Sequence, residues 1–408
     1  MKKVVVIGAG ASGMLAAIFA AKNKNEVTIL EKNNICGKKI LATGNGRCNY
    51  WNEDQRIFHY RSFNLNKVKC ILSDENKNEI LEFFKQIGIE PKIKNGYYYP
   101  FSNQAVSMQN ALITEVNRLN IKLELNTEVK EIEKNADRFK IKTQNEKIIY
   151  ADSVIISTGS KAAPKTGSDG LGYKILKQMG HNIIKPLPAL VQLKLDEKFL
   201  KDWDGVRAEV KINFLENGKK QCEEKGEIQL TNYGVSGICV FNLSGRIARG
   251  LDEKKQEEIE INFLDGLNIN SKEDFINWMD KRQISVEGRN IEQLLEGVLN
   301  YKLVKVIIQK SKLNSKCKWE GLELKQKIEL AGNITNLRLK VIGTNSYDKA
   351  QVCTGGIHLD EIDEKTMESK KVKKLYITGE LLDVDGDCGG YNLEWAWITG
   401  MVAGKNVK

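Results

Sequence analysis

The sequence predicts an α/β chain of several domains built around a parallel sheet, and three observations predict it. A β-branched run, VVVIG (4–8), leads directly into GAGASG (8–13) and an alanine-rich stretch to about Lys22. Short apolar runs alternate with helical patterns up to about residue 187, and again from about residue 352 to the end. Between these parts the pattern changes, first to strands and then to helices. At 408 residues the chain is also too long for a single core.

Each element of the opening has a physical task. VVVIG has the character of a buried parallel strand. Gly8 makes a tight turn, and Gly10 lets the backbone approach a pyrophosphate held by the first helical turn, Ala11 and Ser12. Gly13 allows close packing of helix on strand. EVTILEK (26–32) is the next strand, ending in Glu31 and Lys32. Glu31 is placed to accept hydrogen bonds from a ribose diol and to repel a 2′-phosphate, so the predicted ligand is FAD or NAD, not NADP. MKK followed by the uncharged run Val4–Ala21 imitates a secretory signal. The fixed glycine spacing and the strand directly behind it argue against one.

After Glu31 comes KNNICGKKILATGNGRCNYWN, with little periodicity. Its glycines have no Lys-Ser or Lys-Thr behind them, so it is no phosphate-cradling P-loop. A long irregular stretch inside a domain tends to be functional. KTGSDGLGYKILKQMG (165–180) is glycine-rich before a helix but lacks a strand–acid unit. It reads as a loop over the first domain or as a transient nicotinamide dock.

The middle of the chain reads as strands over 188–265, with a turn at Asn217-Gly218. Residues 271–328 read as helices, LRLKVIGTN (337–345) and AQVCTGGI (350–357) as strands again.

Composition excludes little. Apolar content of 41% and charge of 28% are those of a soluble globular protein. The net charge of +10 is spread along the chain with no basic block, so a solvated lysine-rich surface is expected and no nucleic-acid groove. Eight cysteines without a C-x-x-C pair, and three histidines, give no metal spacing. Reduced thiols fit a cytoplasmic protein without a membrane anchor.

With these motifs on the page, the sequence resembles the bacterial BaiN/RdsA-type NAD(P)/FAD-dependent oxidoreductases, which include aminoacetone oxidases. The similarity covers nearly the whole chain. Its most specific marker is Gly46-Arg47-Cys48-Asn49 with Asn52, although Trp51 stands where a small hydroxyl residue is usual. GYYYPFSNQA (96–105) is similar to the family's strand, Tyr-Pro turn and Ser/Asn-capped helix. TEVKEI (127–132) is similar to the segment whose valine, here Val129, meets the adenine edge. ADSVIISTGS (151–160) matches a strand that ends with Thr158 and Gly159 against the dinucleotide. In GEIQLTNYGVSG (226–237), Asn232 replaces the family's histidine. LYITGELLDVDGDCGGYNLEWAWITG (375–400) resembles the closing flavin motif, with Glu394 where glutamine is common.

The resemblance implies a glutathione-reductase-type FAD-binding Rossmann domain, discontinuous over 1–187 and 352–408. It implies an inserted β-barrel-like domain (188–265 and 329–351) and a small helical domain (266–328). FAD is the implied cofactor, with NAD(P)H as a transient electron donor. Thr43, Gly44, Gly46, Arg47, Cys48 and Asn49 would run along the flavin and pyrophosphate. Gly379 and Glu380 would lie by the ribitol. The helix start at Gly390, Tyr391, Asn392 and Leu393 would face the flavin N1/C2=O edge, with the Glu394 charge nearby. Arg47, Asn49 and Tyr99 are candidates for a substrate pocket, while the tyrosines 97–99 fit a packed core equally well. Cys48 is either a redox thiol or a packing residue. No Ser/His/Asp triad stands out, and the catalytic acid is not identified.

The expected activity is hydride transfer through flavin N5 to or from a small or planar organic substrate. Reduction of an activated C=C or C=O bond with NAD(P)H leads. An O₂-dependent amine oxidase, an RNA-modifying flavoenzyme and a non-catalytic flavin sensor or electron-transfer protein are the alternatives.

Overall fold

Strand β1 (Lys3–Ile7), buried from Val4 on, stands at the centre of a five-stranded sheet. The structure, a computed structural model, describes every residue except Ala136. After β1 come helix α1 (Ala11–Lys22), β2 (Glu26–Leu30), β3 (Lys122–Glu124), β4 (Ser153–Ile156), β5 (Leu375–Ile377) and the closing helix α2 (Tyr391–Asn406). The sheet order is β5-β4-β1-β2-β3, and every pair is parallel. Register is fixed by apolar pairs such as Val5↔Val154 and Val6↔Ile29. Both faces are covered, and that is why these strands read as unbroken apolar runs. The crossover from β3 to β4 is a three-stranded antiparallel meander, Val129–Asn135, Arg138–Thr143 and Ile148–Ala151.

The chain divides into two units, Met1–Leu187 with Gln351–Lys408, and Pro188–Ala350. In the first, α1 packs along α2 at glycines. A Cβ on Gly400 would lie 2.2 Å from the Ser12 carbonyl oxygen, and one on Gly404 2.4 Å from that of Ala16. The two helices therefore approach at backbone distance, which any side chain at those positions would prevent.

The second unit is a closed six-stranded barrel, in the order Leu193–Leu195, Gly234–Ser236, Lys219–Thr231, Arg207–Glu216, Glu257–Asn262 and Leu337–Thr344. The Asn217-Gly218 turn has φ of 51° and 77°, the double left-handed geometry that Asn-Gly favours in a hairpin. The helices between 272 and 335 bury Phe275, Leu303 and Trp319 in one apolar cluster with the barrel residues Val210, Ile212 and Ile259. The sequence reading of 188–265 as strands missed helix Ile238–Asp252, whose Cys239, Val240, Leu243 and Ile247 recur at helical spacing. The long apolar pattern after Ile291 is broken at Glu296, and Asn300 caps a new helix, Tyr301–Lys310. Among the described residues no helix is long and apolar enough to cross a membrane.

Candidate functional site

The dinucleotide motif of the first unit folds as its spacing demands. Gly8 adopts φ +98° and its N–H donates to the Leu30 carbonyl. A Cβ on Gly13 would fall 1.9 Å from the Gly8 oxygen, so helix and turn touch there. Over Gly10 the opposite holds, because nothing lies within 4 Å of where a Cβ would sit. Helix α1 starts at Gly10 without a side-chain cap, leaving the first-turn donors of Ala11 and Ser12 for another partner. Ser12 is buried, and its Oγ lies 2.6 Å from where a Cβ on Gly379 would be.

Glu31 is buried at the end of β2. Its Oε2 accepts the Ala9 N–H at 2.7 Å, and its Oε1 accepts both the backbone and side-chain amides of Asn33. Lys32 pairs with Asp169 at 2.6 Å, and the Asn33 amide also donates to the Thr166 carbonyl. The glycine-rich loop of 165–170 therefore lies against the end of β2, beside the acid meant for a ribose. Val129 is buried in the meander, brought near by the Thr127 N–H donating to the Glu31 carbonyl. At the end of β4, the Thr158 hydroxyl is buried without a partner and Gly159 adopts φ +74°. An open cradle over Gly10, an uncapped helix start and an orphaned hydroxyl are features that an adenosine diphosphate would complete.

The stretch after Lys32 is more ordered than its sequence suggests. Helix Lys38–Ala42 leads into a tight turn over Thr43–Gly46, and the Thr43 hydroxyl donates to the Ile40 carbonyl. Gly44, Asn45, Gly46 and Cys48 are all left-handed, with φ between 54° and 79°. The exposed Arg47 stacks over the Tyr99 ring at 5.0 Å. The Asn49 side chain lies against the Trp51 and Tyr98 carbonyls, to which its amide donates at 3.0 and 3.1 Å in the rotamer that turns its nitrogen toward them. Asn49 thus shapes the loop. Tyr98 packs edge-on to Tyr50, whereas Tyr99 meets Arg47 and Tyr97 lies 2.9 Å from where a Cβ on Gly389 would sit. The strand's alternation makes the tyrosines serve both a core and an outward face.

Cys48 is fully buried, and burial pushes its thiol up to about 12. A thiol so held supplies no thiolate at neutral pH. The expected Ser/Asn cap after the Tyr-Pro turn is not found, since Gln104 occupies the start of helix Ala105–Arg118 and its side chain makes no capping bond.

The C-terminal motif closes on this loop. A Cβ on Gly390 would meet the Trp51 backbone at 2.8 Å, and the Asn52 amide donates to the Gly389 carbonyl at 2.9 Å. Gly390 opens α2 at φ +104° with no side-chain cap. Asn392 grips the preceding turn through both the N–H and the carbonyl of Gly386, and Leu393 is half-buried. The Gly379 N–H donates to Thr399, and its carbonyl accepts the Trp395 indole. Glu380 holds Lys39 at 2.7 Å and the Ser160 hydroxyl at 2.9 Å.

Glu394, in the first turn of α2, has no solvent exposure. Its Oε2 accepts the Gln55 amide at 3.1 Å, and its Oε1 has no hydrogen-bond partner. Burial pushes this carboxyl up to about 7, against smaller opposing effects of Gln55, Lys77 and Tyr60. The negative charge expected here is therefore only partly present around neutral pH.

Two clusters escaped the sequence. His59 stacks on Tyr391 at 4.5 Å, with Nδ1 2.9 Å from Asp387 and Nε2 3.0 Å from Asp54. Arg61 pairs with Asp385 and Asp387, and burial lifts the Asp385 carboxyl to about 6 despite Arg61. Elsewhere Ser369, His181 and Glu361 form a chain of 2.9 Å contacts like a hydrolytic triad. The Ser369 oxygen, however, already accepts the N–H groups of Lys371 and Val372, and the group is buried. It ties segments together and is no nucleophile. Among the described residues no three His, Cys, Asp or Glu side chains are grouped to hold a metal.

The family described as HI0933-like protein Rossmann domain matches residues 2–406. The chain is 38% identical to a 3-dehydro-bile acid delta(4,6)-reductase of Clostridium scindens, over 99% of this chain and 98% of that one. It is 26% identical to a ribosomal RNA dihydrouridine synthase of Escherichia coli, over 99% and 97%. A solved 3-ketosteroid delta1-dehydrogenase of Sterolibacterium denitrificans shares the fold, with a TM-score of 0.51 at 10% identity over 100% of this chain and 99% of that one.

Proposed function

We propose a function from one established premise: the chain belongs to the HI0933-like Rossmann-domain family. It is an FAD-dependent oxidoreductase that reduces a C=C bond conjugated to a carbonyl group in a planar organic substrate, with NAD(P)H as donor. The observation that carries the reading is 38% identity, over nearly the full length of both chains, to a protein named for reducing the 4,6-double bonds of a 3-oxo bile acid.

FAD supplies hydride chemistry when bound; the chain's own residues bind and orient it. Gly8, Gly10, Ala11, Ser12 and Gly13 hold the pyrophosphate. Glu31 and Lys32 address the adenosine ribose, and Val129, Thr158 and Gly159 line the adenine side. Thr43, Gly44, Gly46, Arg47, Cys48 and Asn49 follow the flavin, with Gly379 and Glu380 by the ribitol. The first-turn amides of α2, from Gly390 to Leu393, face the edge where negative charge gathers on reduction. Arg47 over Tyr99 offers a cation and an aromatic face to the substrate.

A second reading is supported by the relatives of 26% and 28% identity named ribosomal RNA dihydrouridine synthases. Their product is a uracil ring whose conjugated C=C bond has been saturated, so the bond chemistry is shared and the substrate differs. An anaerobic spectrum decides. The flavin band near ~450 nm should bleach with NADH or NADPH and return on adding a 3-oxo-4,6-diene steroid. Recovery with uridine-containing ribosomal RNA instead would select the second reading. A protein without flavin bands after added FAD would sink both.

A further inference from the structure

The least explained group in the first unit is Glu394. It stands in the first turn of the sixteen-residue helix α2, whose start lacks a side-chain cap. It has no solvent exposure, and one of its oxygens has no partner. Buried carboxylates are normally paired with a cation or with several N–H donors. Here Gln55 gives a single amide, and the Tyr60 hydroxyl, 3.3 Å from the Tyr391 carbonyl, is shared between that carbonyl and the carboxyl. From the neighbouring helix Asp74–Gln86, Lys77 acts through space without a hydrogen bond to the carboxyl. Tyr391, one helical turn back, and Tyr60 both have phenols that burial pushes up, so neither shares the charge at neutral pH. Asp387, in the preceding turn, helps push both phenols up.

We propose that Glu394 is a redox-linked proton site, a positioning residue that takes up a proton when the cofactor at the start of α2 is reduced. The inference rests on the proposed function, which places the flavin edge at the amides of Gly390 to Leu393. Negative charge added there acts on Glu394 through a medium poor in water, which favours its neutral form. The hydride donor contributes two electrons and one hydrogen nucleus to the cofactor. The further proton comes from solvent and ends on a Glu394 oxygen, and no other bond changes. Neutral Glu394 leaves the field of the helix start unopposed, whereas the ionised form counters it.

The experiment compares wild-type holoenzyme with E394Q, a substitution of equal shape, by proton uptake to a pH indicator during anaerobic reduction. At about pH 8 the wild type should take up more protons than the variant, by as much as about one per flavin. At about pH 5.5 the carboxyl is already neutral in both redox states, and the difference should vanish. The midpoint potential gives a second reading on the same samples. Above pH 7 it should be more positive in E394Q, and at about pH 5.5 equal. Equal proton uptake and equal potentials at every pH, with both proteins flavin-loaded and reducible, would overturn this inference alone. A wild type that binds no flavin would overturn the proposed function as well.

Discussion

Two buried glutamates stand by two uncapped helix starts, and their surroundings are opposite. Glu31, beside α1, accepts three N–H bonds, two of them from backbone. Glu394, in α2, accepts one side-chain amide and leaves its other oxygen bare. The backbone explains the contrast. Glu31 ends a strand, where the turn at Ala9 and the bend at Asn33 aim their amides at it. Glu394 is already inside a helix, its own N–H donating to the Gly390 carbonyl, and among the described residues no backbone N–H donates to its carboxyl. Burial alone does not decide what a carboxyl does; the supply of fixed donors does.

The largest effect should come from breaking the α1 side without touching either acid. In Gly13→Val the new side chain collides with the Gly8 carbonyl, and that backbone cannot yield while β1 holds its register. A loss of about 3 kcal/mol or more is expected, read as a fall in the urea midpoint of the first unit, together with loss of FAD. A variant of wild-type stability would mean that the turn is looser than its packing indicates.

The same substitution at both acids sharpens the comparison. Glu31→Gln turns an acceptor-only group into one that points an NH₂ at other donors, whichever way the amide rotates. It should cost about 1–3 kcal/mol and weaken FAD binding about tenfold or more. Glu394→Gln opposes no set of donors and should leave stability at neutral pH unchanged or raised. Calorimetric titration with FAD and urea melts of the two variants test the contrast, and equal losses would remove it.

The α1 half was legible in the sequence because its parts are consecutive: strand, glycines, helix, strand, acid. The Asn217-Gly218 hairpin was legible for the same reason. The α2 half depends on contacts that no local pattern carries. Gly390 meets Trp51, Asn52 meets Gly389 and His59 meets Asp387, each across more than three hundred residues of chain. The short helix Lys38–Ala42 was hidden by flanking glycines and asparagines that propensity assigns to loops. Glu394 was visible as a departure from the family pattern, but its charge state was not. That state is set by Gln55, Tyr60 and the burial of the whole helix start.

A pH series separates the two acids further. The folded-state value of Glu394 is raised from the ordinary 4.5 to about 7, so the folded protein holds its proton longer than the unfolded chain. The stability it contributes is complete below pH 4.5 and is lost as pH rises through 7, with a span of about 3 kcal/mol at most. In E394Q that decline should be smaller, and the difference between the proteins should open between those two pH values. Urea midpoints of the flavin-free proteins at a ladder of pH values measure it without reference to activity. Parallel curves would show that the carboxyl ionises in place at little cost.

The smallest effect concerns the thiol in the loop that α2 closes upon. Cys48 looks reactive in sequence, set between Arg47 and Asn49 in a glycine turn. In the fold its sulfur is sealed from solvent with a thiol at about 12, and no disulfide forms among the described residues. Exchange with a cofactor or substrate would need both a thiolate and a path to it, and the loop provides neither. Cys48→Ser should therefore retain the flavin spectrum, its rate of bleaching by pyridine nucleotide and its turnover. It should lose about 1 kcal/mol of stability for burying a hydroxyl, moderated by the neighbouring Thr43. Native protein treated with an aromatic disulfide reagent should modify the exposed Cys70 quickly and leave Cys48 untouched until unfolding. A tenfold drop in turnover with flavin and fold intact would reverse the assignment and place the sulfur in the chemistry, a role its burial argues against.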